Sequence, residues 1–254
     1  MFDYLARTMA AYENGQEKYE QATRAMTPGA ELDRFVALLP GPPGAPVLDA
    51  GCAFGRDTAL LAERGLDVLG GDLSPSFVAR ARELHPGLAF EQLDVCALRL
   101  PDASYAGVWC QATLLHLRDE HIALALGEFA RVLVPGGAVF VSFKEGEGTE
   151  ELVESFSSDG TRFFNYQSVA GVRTLLAAAG FTVLAVEREN ELARYGPGHR
   201  DLTWLHAFAV KAGGAAPAEP RGQAPASSSG SLRMSSNTTV PGPASRPAGV
   251  TPPA

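Results

Sequence analysis

The chain has few cysteines, no excess of basic residues and no long apolar run. Its 254 residues include three cysteines, an odd number, and no two of them form a CxxC pair. This pattern excludes a disulfide framework and a zinc knuckle, and it favours a reducing compartment. The sequence has no run of about 18 apolar residues, and its start lacks a basic stretch followed by an apolar one. We therefore expect a soluble, cytoplasmic protein.

The charge balance is acidic. The formal net charge is -8 at pH 7, although the last 43 residues contain three arginines and one glutamate, so residues 1–211 carry -10. A body of this charge repels phosphate backbones, and we expect no nucleic-acid partner. The 46% hydrophobic content is sufficient to fill a sizeable core.

The composition changes sharply after Lys211. In residues 212–254, alanine, proline, serine and glycine supply 30 of 43 positions, and no aromatic residue occurs. Such a segment has too little apolar surface to offset the entropy of ordering. We predict one domain over residues 1–211 and a disordered tail over residues 212–254.

Short apolar runs alternate with helical patterns through the predicted domain, after two helical stretches at about 3–25 and 29–39. The predicted strands are 46–50, 67–71, 88–92, 107–111, 138–143, 181–187 and 203–210, and the predicted helices are 57–64, 75–84, 119–132 and 168–178. This alternation is typical of a parallel sheet covered on both faces. The loop before the last strand contains Gly196, Pro197 and Gly198 and has no room for a crossover helix, so that strand should be antiparallel. The fold class is α/β: a doubly wound, Rossmann-like, seven-stranded sheet, mostly parallel with an antiparallel last strand, plus N-terminal helices.

A glycine-bearing turn follows the first predicted strand, in the segment VLDAGCAFG at residues 47–55. Glycines let a ligand lie against the backbone, and the next helix offers unpaired N–H groups. Asp72 ends the second strand, 23 residues after Asp49, where a carboxylate can accept hydrogen bonds from both hydroxyls of a ribose. Asp94 follows the third strand, where a second carboxylate can accept from an adenine amino group.

These three features, in this order, resemble the class I S-adenosylmethionine-dependent methyltransferases, specifically the type 11/25 group related to quinone C-methyltransferases. The resemblance covers roughly residues 12–211 and includes the stretch RVLVPGG at 131–137. It implies S-adenosyl-L-methionine as the cofactor and in-line transfer of a methyl group to a small-molecule acceptor. It also implies that residues 1–40 form a helical lid, on which Tyr12 and Tyr19 lie; their spacing of seven equally fits an ordinary packing stripe.

The resemblance further assigns the binding residues. By it, the loop of Asp49, Gly51 and Gly55 lies beside the methionine part of the cofactor, Asp72 binds the ribose, and Asp94 with Val95 frames the adenine. The complete set of expected cofactor-binding residues is Asp49, Gly51, Cys52, Ala53, Gly55, Asp72, Leu73, Asp94, Val95 and Gln111.

One position departs from the family pattern Asp-x-Gly-x-Gly-x-Gly, because the middle glycine is Ala53. A methyl group there should crowd the cofactor and weaken its binding by about 1–3 kcal/mol. Ala53 is also the best argument for one alternative, a catalytically inert regulatory protein that binds the same cofactor. A second alternative, an NAD-dependent oxidoreductase, shares the strand and the carboxylate, but Gly51, Ala53 and Gly55 do not supply the GxGxxG spacing of a dinucleotide site.

Each of the three carboxylates also has a purely structural interpretation. Asp49 would cap the turn of the following helix, Asp72 would cap the Pro75 helix in place of Ser74, and Asp94 would close a turn.

His116 lies just past the fourth strand, at the edge where the acceptor should bind. It is our candidate catalytic residue, as a general base, and the alternative is a wall of the cofactor pocket. Lys144 could orient an acidic substrate, although a solvated loop charge is the favoured interpretation. The cluster of Arg162, Phe163, Phe164 and Tyr166 either covers the acceptor pocket or packs an insert against the sheet.

Cys52 and Cys110 are interpreted as small buried packing residues, because no cation that would activate a thiol is evident nearby. His85, His121, His199 and His206 show no spacing typical of metal ligands, and no metal is predicted.

Overall fold

Nine strands and eight α-helices are present in the computed structural model, which describes residues 2–42, 44–153 and 160–213. The strands are β1 Pro46–Ala50, β2 Asp67–Asp72, β3 Ala89–Gln92, β4 Tyr105–Cys110, β5 Leu133–Lys144, β6 Thr149–Leu152, β7 Arg162–Asn165, β8 Phe181–Asn190 and β9 Thr203–Lys211. The helices are α1 Asp3–Asn14, α2 Gln16–Thr23, α3 Gly29–Leu38, α4 Arg56–Glu63, α5 Pro75–Leu84, α6 Asp119–Val132, α7 Val169–Ala178 and α8 Glu191–Tyr195.

Seven strands form one sheet in the order β3-β2-β1-β4-β5-β9-β8. The pairs from β3 to β5 are all parallel, and β9 is antiparallel to both of its neighbours. The predicted seven-stranded sheet with an antiparallel last strand is therefore confirmed. The strand order reverses between β1 and β4, and in an open α/β sheet the crevice at such a reversal is where ligands bind.

The predicted helices between the strands are found with boundary differences of one residue or none. Helix α5 begins as the sequence indicates, because the Ser74 hydroxyl accepts a hydrogen bond from the N–H of Phe77 and Pro75 follows the cap. The stretch predicted to be helical over about residues 3–25 contains two helices, because the chain breaks at Gly15, which separates α1 from α2. The loop between β8 and β9 also contains the short helix α8, although the two strands pair antiparallel as predicted.

The centre of the sheet is apolar on both faces. Strands β1, β4 and β5 are almost fully buried, with α6 and α7 over one face and α3 over the other. Trp109 and Phe140 stack with their ring centroids 3.9 Å apart on the α3 side. This packing gives the carboxyl ends of β1 and β4 a rigid support.

The insert between β5 and α7 contains a hairpin of β6 and β7, which the sequence analysis did not assign. Helix α1 is bound to it: the N–H of Phe163 donates to Thr8 Oγ1 at 2.9 Å, and Arg7 pairs with Glu151 at 2.6 Å. The N-terminal helix and the hairpin are thus joined above the carboxyl edge of the sheet.

The predicted tail, residues 212–254, lies outside the described residues except for Ala212 and Gly213, which form a turn. Within the described part of the chain, no helix combines the length and apolar character needed to cross a membrane.

Candidate functional site

The loop after β1 is tied to the end of β2 by backbone hydrogen bonds. The N–H groups of Gly51 and Cys52 both donate to the carbonyl oxygen of Gly71, at 2.7 and 3.0 Å. The N–H of Ala53 donates to Asp72 Oδ2 at 2.9 Å. The predicted glycine loop and the predicted ribose carboxylate are therefore parts of one hydrogen-bonded unit.

Three residues of this loop, Gly51, Ala53 and Gly55, adopt left-handed backbone conformations. Gly51 has φ +88°, and a Cβ atom there would lie 2.0 Å from Thr113 Oγ1, so only glycine fits. Ala53 has φ +47°, a conformation that is strained for a residue with a side chain. The departure from the family pattern thus falls where the backbone itself favours glycine.

Asp72 is buried and its carboxylate accepts two backbone hydrogen bonds, from Ala53 and from Ser74 at 2.9 Å each. Burial raises its pKa to about 6, and these hydrogen bonds limit the rise. The carboxyl is therefore ionised near neutral pH. It does not cap α5, because Ser74 does so.

Asp94 accepts the N–H of Cys96 at 2.9 Å, so it closes a turn as the structural interpretation proposed. It also lines a cavity together with Asp72, so the turn does not remove it from the candidate site.

Asp49 is buried at the end of β1 and accepts a hydrogen bond from Thr58 Oγ1 at 2.6 Å. It does not cap α4, whose N-cap is Gly55. Burial, reinforced by the negative charge of Asp57, raises the pKa of Asp49 to about 8. This carboxyl is therefore largely protonated at neutral pH.

Two adjoining cavities lie at the carboxyl edge of the sheet. We call them the small cavity, of about 90 Å³, and the large cavity, of about 540 Å³. The small cavity is lined by seven of the predicted cofactor residues: Gly51, Ala53, Asp72, Leu73, Asp94, Val95 and Gln111. The large cavity adds Asp49 and Cys52. Gly55 lines neither cavity; it begins α4, where a Cβ atom would lie 2.6 Å from the Phe90 ring.

Gln111 lies where the two cavities meet and lines both. Its side-chain oxygen Oε1 is buried and has no hydrogen-bond partner, and within the described residues it is the only buried side-chain polar atom in this condition. A buried acceptor without a donor is costly, so a ligand that brings an N–H or O–H group is expected here.

His116 lies on a 3₁₀ turn, Leu114–His116, and also lines both cavities. Its Nδ1 lies 2.7 Å from the carbonyl oxygen of Phe163, which can only accept, so Nδ1 carries a proton. Its Nε2 lies 2.8 Å from the Tyr12 hydroxyl, which donates to it when the imidazole is neutral. The imidazole is thus hydrogen-bonded, beside the cavities, to the Tyr12 phenol, which lies 104 residues away in the sequence.

The burial of Lys144 contradicts its interpretation as a solvated loop charge. Its side chain is 5% exposed, lines the large cavity, and places Nζ 3.5 Å from the centroid of the Phe164 ring. Arg162 is 2% exposed, lines the same cavity and lies 4.4 Å from the centroid of the Tyr12 ring. Of the predicted aromatic and basic cluster, Arg162 and Phe164 line the large cavity. Phe163 packs on Tyr4 of α1, and Tyr166 lines neither cavity.

The cysteine interpretation is confirmed. Cys52 and Cys110 are buried and unbridged, and burial holds the pKa of each thiol well above its ordinary value. Neither is a reactive thiolate at neutral pH.

One cluster of possible metal ligands occurs among the described residues. Glu31, Glu189 and His206 bring ligand atoms within 4.8 Å of one another. Arg194 bonds to Glu31 at 2.7 Å and to Glu189 at 2.5 Å, so an arginine already supplies the positive charge between these carboxylates. We interpret the cluster as an ion-pair network that ties α3 to β8.

One wall of the large cavity was not predicted from the sequence. Tyr195 and Trp204 line it, and the indole N–H of Trp204 donates to Glu191 at 3.0 Å. These residues follow no motif, and only the pairing of β8 with β9 brings them to the cavity.

Residues 47–137 match a protein-family model described as a methyltransferase domain. Among curated proteins, the chain is 39% identical over 105 residues to the 2-methyl-6-phytyl-1,4-hydroquinone methyltransferase of Synechocystis, covering 40% of this chain and 32% of that protein. It is 34% identical over 155 residues to the trans-aconitate 2-methyltransferase of Methylobacterium nodulans, covering 59% and 58% of the two chains. The chain thus spans less than two thirds of the length of these relatives.

Solved structures share the fold. The 1,6-didemethyltoxoflavin-N1-methyltransferase of Burkholderia thailandensis, solved with 1,6-didemethyltoxoflavin and S-adenosylhomocysteine bound, superposes with a TM-score of 0.61. The two chains are 24% identical, and the match covers 83% of this chain and 89% of the other.

Proposed function

We propose that this chain, which belongs to the class I S-adenosylmethionine-dependent methyltransferases of the type 11/25 group, transfers a methyl group from S-adenosylmethionine to a small-molecule acceptor. The observation that carries the proposal is the pair of adjoining cavities at the strand reversal. The small one is lined by the residues expected to bind the cofactor, and the large one leaves room for a second molecule. The names of the relatives support the same reaction class.

The residues of the small cavity fit the chemical groups of this cofactor. Asp72 is an ionised acceptor for the ribose hydroxyls at neutral pH. Asp94 and Val95 would frame the adenine, and Leu73 adds apolar surface beside it. The buried, unpartnered oxygen of Gln111 suits a donor such as the ammonium group of the methionine part.

When bound, S-adenosylmethionine supplies a methyl group activated by the positive charge on its sulfur. The bond that forms joins the acceptor atom to the methyl carbon, and the bond that breaks leaves its electron pair on sulfur. The protein's contribution is then alignment and exclusion of water, and orientation of this kind lowers a barrier by about 7–11 kcal/mol. Tyr12 and Tyr19 line both cavities, and we propose that α1 and α2 act as the lid that closes over them.

His116 is proposed as the base for acceptors that must lose a proton. The Tyr12 hydroxyl would hand its proton to His116 Nε2 and take the acceptor's proton in turn, because the two groups already share a hydrogen bond. His116→Gln should lower turnover by roughly 10²–10⁴-fold while the affinity for S-adenosylhomocysteine stays nearly constant. A loss of affinity instead would mean that His116 is a wall of the cofactor site.

Calorimetry and label transfer test the reaction class. S-Adenosylmethionine and S-adenosylhomocysteine should bind with micromolar affinity, about -8 kcal/mol, and Asp72→Asn should weaken both. Radiolabelled methyl donor added to a metabolite extract should give a labelled product with the wild-type chain and none with Asp72→Asn. Binding without any labelled product would favour the inert regulatory protein, and binding of NAD alone would favour the oxidoreductase.

We also propose a cytoplasmic location and a small-molecule acceptor, with no nucleic-acid partner. Three unbridged cysteines support a reducing compartment, and the charge of -10 on residues 1–211 disfavours a phosphate backbone.

A further inference from the structure

The turn after β4 contains a second strained alanine. Three described residues other than glycine have a positive φ, namely Ala53, Ala103 and Ala112, and of these Ala53 and Ala112 line both cavities. Ala112 has φ +52°, a left-handed conformation that a side chain disfavours. Such a residue persists only where the surrounding structure holds it, and strain of this kind concentrates at functional sites. The contacts that hold Ala112 therefore bear on function.

Ser142 on β5 holds this alanine. Strand β4 ends at Cys110, whose partner in the ladder is Val141, whereas β5 continues to Lys144. The N–H of Ala112 thus lies beyond the strand pairing, and it donates instead to Ser142 Oγ at 2.8 Å. Ser142 is fully buried, so packing fixes the position of the oxygen to which Ala112 donates.

Two further contacts fix the same turn. Thr113 Oγ1 donates to the main-chain carbonyl oxygen of Gln111 at 3.0 Å. On the other side, the loop after β1 comes so close that a Cβ atom on Gly51 would lie 2.0 Å from the same hydroxyl oxygen. The turn of residues 111–113 is therefore clamped between β5 and the glycine loop.

Gln111 is the residue whose placement depends on this turn. Its main-chain carbonyl already accepts from Thr113, whereas its buried side-chain oxygen has no donor and lies where the two cavities meet. The Gln111 carbonyl and the N–H of Ala112 belong to one planar peptide unit, so the bonds from Thr113 and to Ser142 fix that plane at both ends. The plane in turn sets the direction in which the Gln111 side chain leaves the backbone.

We propose that Ser142 is a positioning residue for the methyl donor: by holding Ala112 in the left-handed conformation, it places the Gln111 side-chain oxygen where the ammonium group of S-adenosylmethionine binds. The inference rests on the proposed function, and it adds a residue that lines neither cavity and acts only through the turn. Ser142 also lies outside the segment 47–137 that matches the family model.

Two ligands that differ in the methionine part test the route through Gln111. S-Adenosylhomocysteine carries the ammonium group, whereas 5′-methylthioadenosine has the same adenosine and sulfur without the ammonium and carboxylate groups. By calorimetry, Ser142→Ala should weaken binding of S-adenosylhomocysteine about tenfold or more and that of 5′-methylthioadenosine less than about twofold. Ser142→Cys keeps a side chain of similar shape but offers a poor acceptor, so it should show the same selective loss and supplies the measurement if Ser142→Ala does not fold. Equal weakening of both ligands, or no weakening of either, would overturn the proposal.

Double variants separate positioning from a general loss of packing. In a chain that carries Gln111→Met, Ser142→Ala should weaken binding of S-adenosylhomocysteine less than about twofold further, because the group that it positions is absent. Ala112→Gly should restore at least about threefold of the affinity lost in Ser142→Ala, and more than it gains in the wild-type chain, since glycine adopts a positive φ without being held. Ala103→Gly is the matched control, because Ala103 has φ +47° but lines neither cavity, and it should restore nothing. Equal restoration by the two glycine variants would contradict the assignment.

Titration of the wild-type chain with S-adenosylhomocysteine comes first. If this ligand does not bind, the proposed function fails, and the inference that rests on it fails too. If it binds and Ser142→Ala does not discriminate between the two ligands, the donor site stands and only the role of Ser142 is wrong.

Discussion

Gly51→Ala probes the close approach of the loop after β1 to the 3₁₀ turn. The new Cβ atom would lie 2.0 Å from Thr113 Oγ1 and 2.6 Å from its Cγ2, distances at which something must move. The backbone angle φ of +88° adds strain, because a side chain disfavours the left-handed region.

The expected cost has two parts. An alanine held in the left-handed backbone region costs about 1 kcal/mol of stability, and an extra atom forced into a well-packed site costs about 1–3 kcal/mol. The variant should therefore lose roughly 2–4 kcal/mol of unfolding free energy, which lowers Tm by about 4–16 °C in a domain of this size. Because the loop also lines both cavities, affinity for S-adenosylhomocysteine should fall at least tenfold.

Gly65→Ala is the matched control. Gly65 has φ +81°, but a Cβ atom there meets nothing within 4 Å, so this variant carries the backbone strain without the collision. Urea unfolding should give a loss of about 1 kcal/mol for Gly65→Ala, with unchanged ligand affinity. Adding Thr113→Gly to Gly51→Ala removes every side-chain atom of the collision, including Thr113 Cβ at 2.8 Å, and should restore at least about 1 kcal/mol in a double-mutant cycle. Equal losses for the two glycine variants would refute the steric argument.

Three further outcomes follow from the site. Burial holds the pKa of Asp49 at about 8, above its ordinary 3.8. Between pH 4 and 8 the unfolded chain has lost this proton while the folded chain still holds it, so the free energy of unfolding falls as the pH rises through this range. In thermal scans, Asp49→Asn should raise Tm relative to wild type by at least about 2–4 °C at pH 8 and by less at pH 4. Asp72, with a pKa of about 6, must be ionised to accept ribose hydroxyls, so calorimetric affinity for S-adenosylhomocysteine should rise about tenfold from pH 5 to pH 7, and Asp72→Asn should abolish this dependence. Ala53→Gly relieves the backbone strain at φ +47°, and calorimetry should show several-fold tighter binding of S-adenosylhomocysteine. Tm should change little, because the relief of strain is offset by the greater conformational entropy of glycine in the unfolded chain.

The sheet and its helices were predictable because their signals are local. Periodicity locates α5 and α6 with their observed bounds, and Ser74 with Pro75 marks the start of α5 without any tertiary information. The break at Gly15 was missed, because a single glycine is tolerated within many helices and only packing decides whether the helix ends there. The β6–β7 hairpin was missed because it is stabilised by its contacts with α1.

The predicted cofactor residues cluster because each lies at the end of a parallel strand or in the segment just after it, and a parallel sheet brings such positions to one edge. Seven of the ten line the small cavity for this reason. The burial of Lys144 and the hydrogen bond between Tyr12 and His116 were not predictable, because they depend on how α1 packs on the hairpin. Contacts between segments so far apart in the chain leave no periodic pattern or motif in the sequence from which they could be predicted.

The family model match covers only part of the lining of the two cavities. It ends at residue 137, whereas Tyr12, Lys144, Arg162 and Trp204 lie outside it. Helix α1 belongs to both sites, because Thr8 bonds it to the hairpin and Tyr12 lines both cavities. A protein engineer who grafts a different hairpin must therefore retain α1 or refit it, and refitting α1 alters the lining of the small cavity as well as that of the large one. The two cavities cannot be redesigned independently through these segments.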